Sequence, residues 1–368
     1  MNKFAAAVSM LALSTGAGFA GGLDLSGQSI TAIFEEGNYA ELSYGMVQPN
    51  VSGVYDGTAN SGNVTPDFNL FGGAIKTDVS EKLSFGLIFD QPFGADVSYG
   101  NADVTYPLRG PHAEGTNAHF ESTGITALAR YKAGNGFSIH AGVRHITAKG
   151  DVFTTNPSFS YSATLGADSG TGYVIGAAYE KPEIALRVAL TYSSEVDLSF
   201  PTTAGLGAAF STPGEGAVAN SGTTLPQSIN LDFQSGIAAN TLVFGSIRWA
   251  EWTKTLLEPA GYPSNPLLSY DNDVITYTLG IGRKFSDKLS GAVSFGFEKA
   301  NGGEASNLSP TDGYRSIGLG ASYKVNESIK LSGGIFWIDL GNATTETIAA
   351  DFSGNTAVAA GVKVSYSF

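Results

Sequence analysis

The last stretch of the chain, VAAGVKVSYSF (358–368), decides how everything before it is read. Val358, Ala360, Val362, Val364, Tyr366 and Phe368 fall on one face, while Ala359, Gly361, Lys363, Ser365 and Ser367 fall on the other. A period of two is the mark of a strand, because successive side chains point to opposite faces of a pleated backbone. The alternation returns in LSGAVSFGFE (289–298), where Leu289, Val293, Phe295 and Phe297 oppose Ser290, Ala292, Ser294 and Glu298. It returns again in SINLDFQSGI (228–237), with Ile229, Leu231 and Phe233 against Asn230, Asp232 and Gln234. A water-soluble sandwich alternates too, so the pattern alone leaves a secreted β-sandwich and a membrane barrel both open.

Turn spacing separates them. Short connections stand at 78–82, 132–136, 180–183, 237–240, 284–288 and 324–328. Between them lie longer polar or Gly/Pro-rich segments near 56–66, 100–115, 150–165, 200–225, 256–270, 300–312 and 341–354. Six short turns alternating with seven long loops make fourteen strands, with both chain ends on the short-turn side. Outer-membrane barrels have this asymmetry of short periplasmic turns and long external loops. Tyr131, Tyr179, Phe285, Tyr323 and Phe368 sit beside the short turns, where an interfacial girdle belongs. The expected fold is all-β, a transmembrane antiparallel β-barrel of 14 strands.

Composition agrees. Of 368 residues 42% are hydrophobic and only 14% charged, with 48 glycines and no cysteine. The opening MNKFAAAVSMLALSTGAGFA has one lysine, an apolar run and small residues at Gly18 and Ala20, the layout of a secretory signal cleaved after Ala20. Beyond it no apolar run approaches the roughly 20 residues of a spanning helix. Without cysteine the exported chain has neither disulfides nor thiolate metal sites, and no cofactor or metal is expected. Losing Lys3 takes the net charge from −13 to −14, which argues against nucleic acid as a partner. The organisation expected is a signal peptide over 1–20, a short N-terminal segment over 21–37 and the barrel over 38–368.

One strand is interrupted. In FDQPFGADVSYG (89–100), Pro92, Phe93 and Gly94 stand where the strand begun by LSFGLIFD should continue. Proline has no N–H to give a neighbouring strand, and glycine tolerates sharp re-aiming of the chain.

The segments AIFEEGNYAELSYGMVQPNVSG (32–53), FDQPFGADVSY (89–99), YEKPEIALRVALTYSSEVDLSF (179–200), LPQSINLDFQSGIAANTLVFGSIRWAEW (225–252) and GYRSIGLGASYKV (313–325), with the terminal Phe368, resemble in order and spacing the FadL/TodX family of outer-membrane transporters for long-chain fatty acids and other hydrophobic molecules. The resemblance implies a fourteen-stranded barrel whose N-terminal hatch plugs the lumen. It also implies a kinked third strand through which cargo passes sideways into the membrane. Pro92, Phe93 and Gly94 would form that lateral opening, against the plainer reading of an ordinary bulge. Transport would be passive, because the chain has no GxxxxGK[ST] phosphate loop. The partners implied are outer-membrane lipid and a hydrophobic ligand such as a fatty acid, met by a monomer in the outer membrane of a Gram-negative bacterium. An external capture groove would come from the third and fourth long loops, through Phe153, Phe159, Leu206 and Phe210.

Parity points to further residues. Arg130, Arg144 and Arg187 oppose apolar neighbours and should face the lumen. Arg144, higher in the barrel, is the candidate for a carboxylate headgroup, since a guanidinium binds one by paired hydrogen bonds. Arg130 and Arg187, near the periplasmic turns, are expected to pair with the hatch, where Asp24, Glu35 and Glu36 supply acids and Ile30, Ile33 and Phe34 supply plug residues. Phe336, Ile338 and Leu340, opposite Ile335 and Trp337, are candidates to meet an acyl chain. The hatch departs from the family pattern: it is short and lacks the family's Asn-Pro-Ala motif.

An enzyme is not expected. A lipid hydrolase needs a Ser–His pair, yet His112 and His119 flank an external loop while His140 and His145 have opposite parity. A diffusion porin for small solutes is the other alternative.

Overall fold

The computed structural model describes residues 22–368 except 112, 215, 217, 265 and 303. The signal-peptide reading of 1–20 and the one for His112 lie outside the described residues. The barrel strands, in chain order, are β1 (Tyr39–Asn50), β2 (Phe68–Asp78), β3 in two segments (Leu83–Asp90 and Gly94–Ser98), β4 (Asn117–Gly134), β5 (Phe137–Thr155), β6 (Phe159–Lys181) and β7 in two segments (Leu186–Ser193 and Val196–Ala208). They continue as β8 in two segments (Val218–Leu225 and Ser228–Ala238), β9 (Thr241–Ala250), β10 (Val274–Lys284), β11 (Leu289–Glu298), β12 (Tyr314–Lys324), β13 (Ile329–Leu340) and β14 (Thr356–Ser367). Each pairs antiparallel with the next, and β1 closes the cylinder on β14 from Tyr39↔Ser367 to Asn50↔Thr356. Closure of β1 on β14 leaves no free edge at the chain's two ends, as a wall in lipid requires.

The alternation sorts side chains as the sequence indicates. On β13 Ile335 is 58% and Trp337 50% exposed, while Ile338 and Leu340 point inward and are buried. Leu42, Phe71, Ile175, Leu279, Phe295 and Val362 belong to the same outward apolar belt. Tyr131, Phe285, Tyr323 and Phe368 ring its short-turn end, exposed. All six short turns fall where the sequence places them.

The third long loop does not exist as such. β5 and β6 run on past the belt and meet in a three-residue turn at 156–158. Asn156 makes that turn, its side-chain oxygen accepting from the N–H groups of Ser158 (2.8 Å) and Phe159 (3.1 Å). The Thr and Ser residues around it read as loop by polarity, but they alternate with Val152, Phe159 and Tyr161 and extend the ladder. The fourth loop shrinks likewise to 209–217.

The N-terminal segment lies inside the cylinder. A short 3-10 turn, Thr31–Phe34, seats Ile33 and Phe34 with Ile30 among Ile88, Leu128, Val174, Ala178 and Ala189 of the inner wall. Further out a second cluster, including Tyr99, Tyr314, Ile338, Leu340 and Phe352, fills the lumen on the β12–β14 side. On that side the strands present mostly glycine, alanine and serine inward, and the ring of Phe336 lies over Gly318, as that of Phe244 on β9 lies over Gly280 on β10.

A candidate lateral gate and lumenal chamber

The interruption at Pro92 opens the wall on one flank only. On the β4 flank Asp90 pairs with Gly124 and Gly94 with Glu121, so β3 spends one residue more than β4, which is a bulge. On the β2 flank pairing stops at Gly73↔Phe89, and the outer segment of β3 has no partner on β2. Phe68–Gly72 of β2 and Gly94–Ser98 of β3 therefore face each other across a gap in the ladder. Gln91 spans its floor, its Oε1 accepting from the N–H of Phe71 at 2.7 Å.

An unpaired backbone group at such a place would cost several kcal/mol, and the hatch and one serine supply partners to residues 92–94. The N–H of Leu25 donates to the carbonyl of Pro92, and the N–H of Gly94 to the carbonyl of Leu23, each at 2.9 Å. Asp24 and Phe93 are the opposed residues of this short antiparallel bridge. The hydroxyl of Ser122 accepts from the Phe93 N–H (2.9 Å) and donates to the Phe93 carbonyl (2.6 Å). Two glycines permit the approach. A Cβ on Gly94 would stand 2.7 Å from the Leu25 side chain, and one on Gly22 would overlap the indole of Trp252.

Behind the gap lies a cavity of about 140 Å³, bounded by Leu23, Leu25, Phe93, Ala95 and Phe120 inside and by Asn69, Gln91, Asp96, His119 and Glu121 toward the exterior. A second, almost wholly apolar cavity of about 60 Å³ shares Leu23, Ala95, Phe120 and Leu308 with it and continues inward to Leu165, Phe200, Leu225, Leu257 and Leu268. Phe93 meets Trp252 edge to face at 5.7 Å, and Phe120 meets Phe200 the same way at 6.3 Å. An apolar chamber thus lies next to the cavity that borders the break in the wall.

Polar bonds pin the hatch beneath it. Asp24 accepts from Arg248 of β9 at 2.5 and 2.6 Å, and Arg248 also donates to Asn230 at 2.7 Å. Ser26 donates to Asp90 at 2.6 Å, and Asn230 to the carbonyl of Gly27 at 2.9 Å.

Arg144 faces inward as parity requires, and the residue is 2% exposed. It donates to the Gln28 carbonyl (3.3 Å), Thr126 (2.7 Å) and Ser193 (3.3 Å), and it lines neither chamber. In this arrangement the hatch carbonyl of Gln28 takes one of the donors that the sequence reading offers to a carboxylate headgroup. Arg130 and Arg187 do meet the hatch, through a ring instead of acids. Their guanidiniums lie 4.6 and 5.2 Å from the centroid of Phe34. Arg130 forms its ion pair with Glu180 of the wall and Arg187 bonds Gln234, while Glu35 is half-buried and Glu36 exposed.

The remaining candidates lie apart from the chamber. Ile338 and Leu340 belong to the outer cluster, and Phe336 borders a small separate cavity with Phe244 and Ser294. Phe159 packs on Tyr262, Phe210 on Gly110, Leu206 is 55% exposed, and Phe153 is half-buried on the outer end of β5. His140 is buried against Thr191 and His145 faces outward against Thr171, so they do not converge. The residues missed by sequence were Phe120, Phe200, Leu225, Leu257 and Leu308; inward parity of Phe120 and Phe200 was the signal available.

No protein-family model and no curated protein matches the chain. Solved structures do. A Pseudomonas aeruginosa FadL homologue superposes with a TM-score of 0.74 at 16% identity, over 96% of this chain and 98% of its own. The Pseudomonas putida toluene transporter TodX gives 0.67 at 13% over 94% and 96%, and the Ralstonia pickettii toluene transporter TbuX 0.65 at 13% over 91% and 90%. With fourteen antiparallel strands closed into one barrel and matched over nearly its whole length, this chain is built on the FadL/TodX barrel fold.

Proposed function

We propose that the barrel takes up hydrophobic small molecules, long-chain fatty acids or other apolar compounds, across the outer membrane of a Gram-negative bacterium without an energy source. The observation that carries this reading is the gap between β2 and the outer segment of β3, bordered by a cavity with an apolar chamber next to it. Cargo captured at the external ends of β5 to β8 would enter the chamber and leave sideways through the gap. The advantage is physical. A side exit delivers the molecule to hydrocarbon without exposing it to the periplasm, and each CH₂ kept from water is worth about 0.8 kcal/mol. The two toluene transporters that share the fold support the same class of cargo. The protein acts as a single-chain barrel in contact with outer-membrane lipid, with the hatch as its movable floor.

Two expected results follow from this reading. Purified in detergent, the protein migrates faster on SDS gels before heating than after, and its circular dichroism is β-rich; recovery as a detergent-free soluble monomer would exclude the barrel in a membrane. The functional test is uptake of radiolabelled toluene and a two-ring hydrocarbon by porin-deficient cells with and without the protein. In Gln91→Ala the crossbar over the gap floor is gone, and the two-ring compound should gain on toluene severalfold. The orphaned Phe71 N–H costs roughly 1–3 kcal/mol, so folding is checked on the same gels. An unchanged ratio would remove Gln91 from the gate, and no uptake of either compound would remove the function.

A further inference from the structure

That reading leaves fatty acids and uncharged compounds both open as cargo; resting on it, we infer that the gate passes the uncharged class and turns carboxylates away. Among the described residues, neither chamber has a lysine or arginine in its lining. The inward guanidiniums of β5 and β9, Arg144 and Arg248, are spent on the hatch. A carboxylate in the chamber would lose its hydration and find no cation to replace it.

The outer lip of the gap carries the opposite chemistry to an anion-binding site. Asp96, His119 and Asp151 stand side by side on β3, β4 and β5. His119 Nδ1 is 3.4 Å from the Asp96 carboxylate and Nε2 3.6 Å from that of Glu121. Lys149 answers Glu121 at 2.8 Å. Across the gap Asp67 precedes β2 and holds Gln48 at 2.9 Å. Two carboxylates, Asp96 and Glu121, thus border the exit with the histidine between them, and Asp151 on β5 and Asp67 before β2 stand beside it, against one lysine among the described residues. A hydrocarbon, ester or alcohol meets no penalty there. An anion is repelled at the lip and unpaired within.

The test compares phenylacetate with its methyl ester, two cargoes of one ring and nearly equal size. Uptake is measured in porin-deficient cells and corrected for cells lacking the barrel. The ester should enter about tenfold faster than the anion, as repulsion by several like charges near the surface demands. In the double variant Asp96→Asn, Glu121→Gln, Lys149 is released at the lip and two negative charges are gone, so the ratio should fall severalfold. Equal entry of ester and anion in the unaltered protein would overturn the inference while leaving the uptake function standing. So would a ratio that the double variant does not move. Entry of neither above the control cells would overturn the uptake reading itself, and this inference with it.

Discussion

With Asp24→Cys and Phe93→Cys combined, uptake should fall to background under oxidising conditions and return on reduction. The chain has no cysteine of its own, so the pair has no competitors. Asp24 and Phe93 oppose each other, and the flanking bonds, Leu25 N–H to Pro92 and Gly94 N–H to Leu23, make them a non-hydrogen-bonded antiparallel pair. Such residues have Cα atoms about 4.5 Å apart, within the roughly 4.4–6.8 Å that a disulfide spans. The bond would fix the hatch to the broken strand. Losing the Asp24–Arg248 ion pair and the Phe93 ring affects both redox states alike, so the reduced protein is the control for packing. Uptake that is indifferent to reductant would mean cargo passes without the hatch leaving Pro92–Gly94.

The second large effect is expected at Arg248. Arg248→Ala leaves the Asp24 carboxylate without its partner and frees Asn230, and breaking a buried pair costs about 3–5 kcal/mol. The barrel itself should stay folded, because its ladder does not pass through this side chain; the penalty falls on the hatch. Amides of residues 23–34 should exchange far faster, and steady ion conductance should appear in planar bilayers. Asp24→Asn, which keeps a hydrogen-bond acceptor and removes the charge to be satisfied, should be milder. Protected hatch amides and a silent bilayer in Arg248→Ala would show that hydrophobic seating of Ile30, Ile33 and Phe34 holds the plug alone.

How much of this was legible in the sequence depends on the distance over which each feature is specified. Wall and turns were legible because parity is local: Val358 to Phe368 declare their faces without reference to any other strand. Pro92 and Gly94 likewise announce a break through their own backbone chemistry. The loop at 150–165 was misread because Thr154, Thr155, Ser160 and Ser162 are polar, and only their alternation with Tyr161 and Ala163 shows them to be strand. Arg144 shows the sharper limit. Its inward direction followed from parity, but its partner is the carbonyl of Gln28, and a backbone acceptor leaves no trace in composition. The chamber was the least legible part. Phe120, Phe200, Leu257 and Leu308 come from different strands and loops, and they converge only after the cylinder has closed.

The route itself can be read directly by photolabelling. A toluene analogue carrying a diazirine, bound to the protein in lipid vesicles and illuminated, should label the gap and its chamber: Phe68–Leu70 of β2, Gln91–Ala95 of β3 and Phe120–Ser122 of β4, identified by mass spectrometry. Labels confined instead to Phe244, Ser294, Gly320 and Phe336, on the glycine- and serine-lined side of the lumen, would place the path along the barrel axis and contradict a lateral exit.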